Sequence, residues 1–478
     1  MILDKIKNKI DIKFIALVFV CLMPFICSII FALPASDDFS MAKDLIPGGI
    51  TLSEIIGKTN EEYMGWMGLW PFFFLEYLLN PLYVFPGIRH ATGIFLEITF
   101  IVFIIVLYLY LKTFFKYIFG IDKDKIYKLT YLLFLIAFLN SAIYDEIYYW
   151  FVGNVYLWNV LFMMWNQILI IKLFRTEVTK SLYIRLCIVG FIACFAFQLD
   201  VFSGCIYLIE LFIWKKKNNP IKYQRIIPLV VMIAGGMISA FAPGNFARSK
   251  AYSAELSIGN AIINSVSNAI KCFIQAIDNP LYIVLVTIMI CIGYVFAKNV
   301  QKMSIMVLVI MAMASLLGLT FSVALGYSNS NLPSRIVYMY DLILYVCSVL
   351  IAIQLGKIIA DIEVINLNTI VAIAVIICAS VLYRDFINID GELKVEQRPW
   401  YVTWTNIPNI KNEFNYNSSI LTTIYESENS SVELTFDYNA FEETKILRGV
   451  GFESEEVVNN IRICSGKEEL KVNIIPKR

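Results

Sequence analysis

The sequence is poor in histidine and in charged residues. His90 is the only histidine among 478 residues, which excludes histidine-based metal sites and Ser-His-Asp catalysis. Asp, Glu, Lys and Arg make up 16% of the chain, whereas a soluble protein carries roughly a quarter. The formal net charge is +1, and we expect no nucleic-acid partner.

Motifs of cofactor chemistry are also missing. The ten cysteines include no CxxC pair, and most lie within apolar runs, where we expect small buried side chains. There is no Walker motif and no GxGxxG, which argues against ATP-driven transport by this chain alone.

Long apolar runs dominate what is present. The chain is 59% hydrophobic and its mean hydropathy is +0.70. About 20 apolar residues cross the hydrocarbon core of a bilayer as a helix. We therefore expect a mainly α-helical, polytopic protein in the lipid bilayer. The eleven predicted transmembrane helices cover residues 13–33, 91–115, 127–145, 152–173, 182–198, 201–214, 226–243, 280–297, 304–325, 336–355 and 367–383.

The basic residues of the loops predict the orientation. Lys and Arg are concentrated in the N-terminal segment and in alternate loops such as 112–128, 172–185 and 215–225. The positive-inside rule then places the N-terminus in the cytoplasm and the C-terminus outside. This pattern predicts a multi-pass protein of the cell membrane.

Three long segments lie on the predicted outer side. Segment 34–90 contains GWMGLWPFFFLEYLLNPLYVF, whose prolines favour a position in the outer interface over a crossing. Segment 244–279 predicts an amphipathic helix along the membrane surface. Segment 384–478 has two alternating stretches, SSVELTFDYNA and LKVNIIPK, which predict a small β-rich extracytoplasmic domain beside a transmembrane domain of residues 1–383.

An acidic pair, Asp37 and Asp38, opens the first outer segment, and it has two explanations. Ser36 can cap a helix that starts at Asp37, and acidic residues in a first turn suit the helix dipole. Alternatively, a carboxylate at a wet membrane surface can remove the proton from an attacking sugar hydroxyl. We favour Asp37 as this base and Asp38 as its partner, although the residues alone do not order the two.

Two arginines, Arg248 in FAPGNFARS and Arg335 in SNSNLPSRIVYMYD, lie in outer segments, against the charge bias. A guanidinium can bind an anionic phosphate through two hydrogen bonds, which makes both residues candidate phosphate ligands. Anchorage at lipid headgroups explains Arg248 about equally well. For Arg335, the alternative is an ion pair with Asp341, six residues later.

An outer hairpin, YDEIYYWFVGNVYLWN (144–159), combines acids with aromatic residues. The aromatic belt of the membrane interface is the explanation we favour. Alternatively, the rings stack on sugar faces while polar groups bind sugar hydroxyls. The candidate sugar- or acceptor-binding residues are Asp145, Glu146, Tyr149, Trp150 and Asn154, with Trp66 and Trp70 of the first outer segment.

Four segments, SDDFSMA, YYWFVGNVYLWN, APGNFAR and LPSRIVYMYD, follow one another in this order. Together they resemble the GT-C superfamily of integral-membrane glycosyltransferases, and most closely a bacterial multi-pass family with a domain of unknown function. The resemblance covers residues 10–385. It departs from the family pattern at Leu69 in GWMGLW, where family members often carry a basic residue.

The resemblance implies a transferase that moves a sugar from a polyprenyl-phosphate donor, with inversion, to a cell-envelope glycan, lipid or polymer acceptor. Asp37 or Asp38 would be the base, and Arg248 and Arg335 would hold the donor phosphate. A divalent metal is compatible with GT-C enzymes, but the sequence contains no complete ligand set, so no cofactor is assigned. A monomer is expected.

A transporter or flippase of a lipid-linked saccharide is the alternative function. It would need polar residues through its spans, whereas here the polar residues are concentrated in the outer loops. Glu97 and Glu210 are exceptions, and intramembrane carboxylates are functional candidates. Both lie near the ends of predicted spans, which favours a structural role.

Overall fold

The computed structural model is largely helical. It describes residues 11–47, 49–84, 89–141, 147–251, 258–327, 332–363, 366–386, 388–389, 392–444, 446–447 and 449–476.

The helices follow the apolar runs of the sequence. The N-terminal part contains α1 (Ile12–Ile29), α2 (Ser36–Ala42), α3 (Leu52–Gly65), α4 (Trp70–Leu78) and α5 (Pro81–Val84). The rest of the membrane part contains α6 (Ala91–Thr113), α7 (Asp124–Leu139), α8 (Val155–Arg175), α9 (Lys180–Ala193), α10 (Phe197–Lys216), α11 (Ile227–Ala240), α12 (Pro243–Ala251), α13 (Ile258–Asp278), α14 (Pro280–Val295), α15 (Ile305–Tyr327), α16 (Ser334–Ile362) and α17 (Leu367–Arg384). A π-helix, Phe114–Ile118, continues α6, and a second π-helix, Trp150–Asn154, precedes α8.

The apolar helices of the structure confirm the prediction of a multi-pass membrane protein. Among the described residues, seven helices are long and apolar enough to cross a membrane. An eighth arises if α13 and α14, which meet at an angle of 82°, form one broken span. Each of the eleven predicted segments coincides with a helix, but α7 and α9 are only 16 and 14 residues long. The number eleven therefore stays a prediction, as does the orientation.

The apolar stretch of the first outer segment is divided into short helices. Helix α4 has nine residues and α5 has four, and Pro81 begins the second of them. Neither is long enough to cross a bilayer alone. This agrees with the expectation that the stretch does not form a single span, and its place in the interface stays a prediction.

The amphipathic helix predicted in segment 244–279 is α13. Its outward face carries exposed Ile262, Ile263 and Ile274, while Ser265 hydrogen-bonds Thr320 of α15 at 2.7 Å. One face therefore packs on the helical bundle and the other suits lipid. Its position along the membrane surface is not tested by these contacts.

The C-terminal region is not mainly β, so this prediction is wrong. The two alternating stretches do form strands, β3 (Ser431–Asp437) and β4 (Glu469–Ile475), which pair in parallel. A short hairpin of β1 (Asn388–Ile389) and β2 (Glu392–Leu393) precedes them. Helices α18 (Pro399–Glu426) and α19 (Glu455–Cys464), however, contain more residues than all four strands.

Helix α18 forms because it packs against α1. Asn, Thr and β-branched residues are common in α18, and Pro408 lies inside it, so its intrinsic helix propensity is low. The Trp400 indole N–H donates to the Cys21 carbonyl at 3.1 Å, and Phe414 packs on Phe31 with ring centroids 5.4 Å apart. Tertiary burial of one apolar face thus stabilises a helix that its composition disfavours.

Buried polar and small residues connect the helices of the membrane part. Arg175 of α8 binds Glu210 of α10 through two hydrogen bonds of 2.7 Å, and Glu210 is 2% exposed. This ion pair supports the structural role expected for Glu210. Helices α14 and α16 approach closely where Gly293 and Gly356 leave space for the partner backbone.

The glycine contact between α14 and α16 gives a test of the helical packing. A Cβ at Gly293 would lie 2.1 Å from the Ile353 carbonyl oxygen, so Gly293→Ala forces the helices apart. We expect the free energy of unfolding to fall by about 1–3 kcal/mol. Thermal unfolding of the purified protein in detergent measures this change.

The matched control is Gly204→Ala in α10, where a new Cβ meets no atom within 4 Å. This variant should leave the midpoint of thermal unfolding unchanged or raise it slightly, because Ala has a higher helix propensity than Gly. Equal midpoints for both variants would contradict the close approach of α14 and α16.

Candidate active site at the first outer segment

Asp38 fixes the start of the helix that carries the acidic pair. The N–H of Ala35 donates to Asp38 Oδ2 at 2.8 Å, and Asp38 is 1% exposed. Helix α2 therefore begins at Ser36, and the prediction that Ser36 is the cap before Asp37 is wrong by one residue. The acid, rather than the serine, makes the capping contact because its carboxylate reaches back to the backbone from the third helical position.

Asp37 faces different surroundings from those of its neighbour. It is half-buried and lines a cavity of about 510 Å³ between α2 and the C-terminal region, here called the acidic cavity. Its backbone N–H donates to the Tyr149 hydroxyl oxygen at 3.2 Å. The structure thus separates the pair into one capping carboxylate and one carboxylate at a cavity wall.

The lining of the acidic cavity combines carboxylates with aromatic rings. Among the described residues that line it there is no Lys or Arg. Such a lining suits a hydroxyl-rich ligand, since rings stack on sugar faces and carboxylates accept hydrogen bonds from hydroxyl groups. The acids are Asp37, Glu413, Glu443, Glu453 and Glu456, and the rings are Tyr149, Phe436, Tyr438, Phe441 and Phe452.

Glu413 of α18 is held in place within this wall. Its Oε2 accepts hydrogen bonds from the backbone N–H and the hydroxyl of Thr444, at 3.1 and 2.7 Å. Burial raises the pKa of the Glu413 carboxyl, and these two hydrogen bonds oppose that shift. Glu413 was not among the predicted site residues, because the cavity joins segments from opposite ends of the chain.

Tyr149 links the acidic pair to the predicted aromatic hairpin. Its side chain is 5% exposed, and its hydroxyl oxygen accepts from the Asp37 N–H. Burial, followed by the negative charges of Asp38 and Asp37, raises the pKa of the Tyr149 hydroxyl. Tyr149 is therefore a neutral hydroxyl beside the pair.

Glu76 of α4 lies behind the acidic pair. It is fully buried, and its Oε1 accepts from Asn154 Nδ2 at 3.1 Å. Burial raises the pKa of the Glu76 carboxyl well above its usual range, and the negative charge of Asp38 raises it further. Glu76 was not among the predicted site residues, although a lone carboxylate in an apolar stretch is a recognisable signal.

The other residues of the hairpin have different positions. Asn154 is fully buried through its contact with Glu76, rather than open to a ligand. Trp150 is 1% exposed and packs edge-on against Phe95, so it is no open platform for a sugar ring. Asp145 and Glu146 lie outside the described residues.

The two arginines each lie over an aromatic ring. The Arg335 guanidinium lies 5.4 Å from the ring centroid of Tyr156, two residues after Asn154. The Arg248 guanidinium lies 5.4 Å from the ring centroid of Trp66, and Arg248 is 7% exposed. Neither belongs to the described lining of the acidic cavity. The structure therefore brings Arg335 to the hairpin and Arg248 to the first outer segment.

Trp66 and Trp70 of the first outer segment differ in accessibility to a ligand. Trp66 is 37% exposed beneath Arg248. Trp70 donates its indole N–H to Asn60 at 2.7 Å and stacks on Phe74, which are contacts within the segment itself. Trp66 is consequently the better ligand-binding candidate of the two.

Metal ligands do not cluster in the part of the chain that the structure describes. No group of three or more His, Cys, Asp or Glu side chains there could hold a metal ion. A divalent metal stays an untested expectation.

Comparisons with protein-family models, with curated proteins and with solved structures found no match for this chain. The resemblance to the GT-C superfamily therefore stays an interpretation of four short segments. A function has to be argued from the geometry of the site and from those segments.

The raised pKa of Glu76 predicts a pH-dependent contribution to stability. The stabilising effect of a protonated Glu76 is fully present below the unfolded-state pKa and is lost as pH rises toward the folded-state pKa. We expect wild type to lose stability relative to Glu76→Gln as pH rises above the ordinary carboxyl pKa, because the folded protein then retains a proton that the unfolded chain has released.

Thermal unfolding at several pH values measures this difference. Glu177→Gln, at an exposed residue, is the control and should follow wild type at every pH. Parallel curves for wild type and Glu76→Gln would contradict a protonated Glu76.

Proposed function

We propose that this protein is a membrane glycosyltransferase. It moves a sugar from a polyprenyl-phosphate donor to a hydroxyl group of a cell-envelope glycan, lipid or polymer at the outer face of the cell membrane. The observation that carries the proposal is the position of Asp37, on a capped helix at the wall of the acidic cavity. The four segments that resemble GT-C glycosyltransferases, the first of which contains Asp37, also support it.

The proposed reaction gives Asp37 the part of general base. The acceptor hydroxyl oxygen attacks the anomeric carbon while its proton passes to the Asp37 carboxylate. The bond between the anomeric carbon and the donor phosphate oxygen breaks, and the phosphate leaves with the electron pair. Attack opposite the leaving group inverts the anomeric centre.

Asp38 and Tyr149 act as positioning residues in this proposal. Asp38 fixes the first turn of α2 through its hydrogen bond to the Ala35 N–H. The Tyr149 hydroxyl oxygen accepts a hydrogen bond from the Asp37 N–H and so holds the same turn. A base held by such contacts needs little reorganisation when the substrates bind.

Charge favours separate places for acceptor and donor phosphate. The five carboxylates of the acidic cavity repel a phosphate but accept hydrogen bonds from a neutral glycan, which makes the cavity the proposed acceptor site. Arg335 and Arg248 remain the candidate phosphate ligands, because a guanidinium can hold a phosphate through two hydrogen bonds. Arg335 adjoins the hairpin whose Tyr149 contacts Asp37.

The number of spans and their orientation are also part of what we propose. Eleven spans with a cytoplasmic N-terminus would place the acidic pair, both arginines and the C-terminal region on the outer side. A transporter would need available charges along its spans, and Glu210 is already engaged by Arg175.

Separate substitution of the two aspartates tests the proposed base. In membranes supplied with polyprenyl-phosphate sugars, Asp37→Asn should reduce glycan transfer by about 10²–10⁴-fold, the range of general-base catalysis. Asp38→Asn should lose less, since an Asn oxygen can still accept from the Ala35 N–H.

Asp44→Asn provides the control for a lost charge near α2. Asp44 is half exposed and pairs with Lys58 at 3.0 Å, so transfer should stay at the wild-type rate. Wild-type transfer by Asp37→Asn would rule out Asp37 as the base.

A further inference from the structure

A second large cavity lies far from the acidic pair, in a groove between α6, α8 and α9. Its volume is about 630 Å³. Most of its wall is apolar, with Val102, Val106 and Leu109 on α6 facing Leu161 and Trp165 on α8. Leu109 is 47% and Trp165 is 43% exposed, so the protein leaves these apolar side chains uncovered. An exposed apolar groove in a membrane protein suits a lipid chain.

One end of the groove is basic. Lys112, Lys116, Lys172 and Arg185 all line it. Lys116 pairs with Asp122 at 3.1 Å, whereas the other three form no ion pair with any described residue. Lys112 instead lies over the rings of Tyr108 and Tyr127. Three positive charges are therefore available at the end of an apolar groove.

The dimensions of the groove match one leaflet of a bilayer. From Val102 to Lys116, along α6 and the π-helix that continues it, the chain advances 14 residues, or about 21 Å, and so does α8 from Trp158 to Lys172. Half of a bilayer with its headgroups measures about 20–22 Å. The basic end is also far from the acidic pair. Thr92, at the other end of α6, lines a cavity together with Phe39 of α2, and it is about 30 Å from Lys112.

We propose that this groove binds one anionic phospholipid of the leaflet opposite the acidic pair. An acyl chain would lie between α6 and α8, and the phosphate would lie among Lys112, Lys172 and Arg185. The net negative charge of the headgroup distinguishes such a lipid from a zwitterionic one, whose phosphate is neutralised by its own cation. The inference depends on the groove alone and does not require glycosyl transfer.

Native mass spectrometry of the purified full chain tests the site. The detergent-solubilised protein is titrated with phosphatidylglycerol or with phosphatidylcholine of the same acyl chains. We expect one phosphatidylglycerol to bind in preference to phosphatidylcholine. The double variant Lys172→Gln with Arg185→Gln should weaken that binding about thirtyfold, since each basic residue near a membrane surface contributes a factor of about five.

Two further variants separate the groove from general surface charge. Lys215→Gln with Lys216→Gln removes two exposed cations of α10 that lie outside the groove, and it should bind phosphatidylglycerol like wild type. Val106→Trp fills the apolar part of the groove while keeping every charge, and it should also weaken binding.

Three results would overturn the proposal. The first is equal binding of the two lipids by wild type. The second is an equal loss of phosphatidylglycerol affinity in the Lys172/Arg185 and Lys215/Lys216 double variants. The third is undiminished phosphatidylglycerol binding by Val106→Trp. The thermal midpoint of each variant is measured as well, and an unchanged midpoint shows that a loss of lipid binding reflects the site rather than unfolding.

Discussion

The hydrogen bond from the Ala35 N–H to Asp38 Oδ2 is the contact on which the candidate site depends. It ends the connection from α1 and starts α2, so it determines which residue of the acidic pair is buried. With Asp38 used in this way, Asp37 is the carboxylate left at the cavity wall. Capping and catalysis are competing explanations in the sequence. In the fold, Asp38 makes the capping contact, and Asp37 is the residue that we propose to be catalytic.

A buried polar layer supports this division. Asp38 lies near the fully buried Glu76, and two negative charges so close in apolar surroundings would repel strongly. The raised pKa of Glu76 reduces that repulsion because it favours the neutral carboxyl, and Asn154 donates a hydrogen bond to one of its oxygens. The π-helix that carries Asn154 also adjoins Tyr149, which contacts Asp37. The described hairpin residues Trp150 and Asn154 are therefore buried supports of the acidic pair and are not open to a sugar ring.

The sequence predicted those features that depend on local pattern. All eleven apolar segments coincide with helices because their length and hydropathy are local properties, and β3 and β4 follow the two alternating stretches. Helix α18 was missed because it forms by packing on α1, although the buried Ile410, Phe414, Leu421 and Ile424 are spaced as on one helix face. The acidic cavity could not be predicted, since it forms only where α2 meets a region near the other end of the chain.

Chemical rescue tests whether Asp37 supplies the basic oxygen for the proposed transfer. The rate of glycan transfer is measured for Asp37→Ala and Asp38→Ala while formate, a small carboxylate, is added. We expect transfer by Asp37→Ala to be close to background and to rise with formate concentration, whereas Asp38→Ala should show no such rise. Wild-type transfer by Asp37→Ala without formate would rule out this role for Asp37.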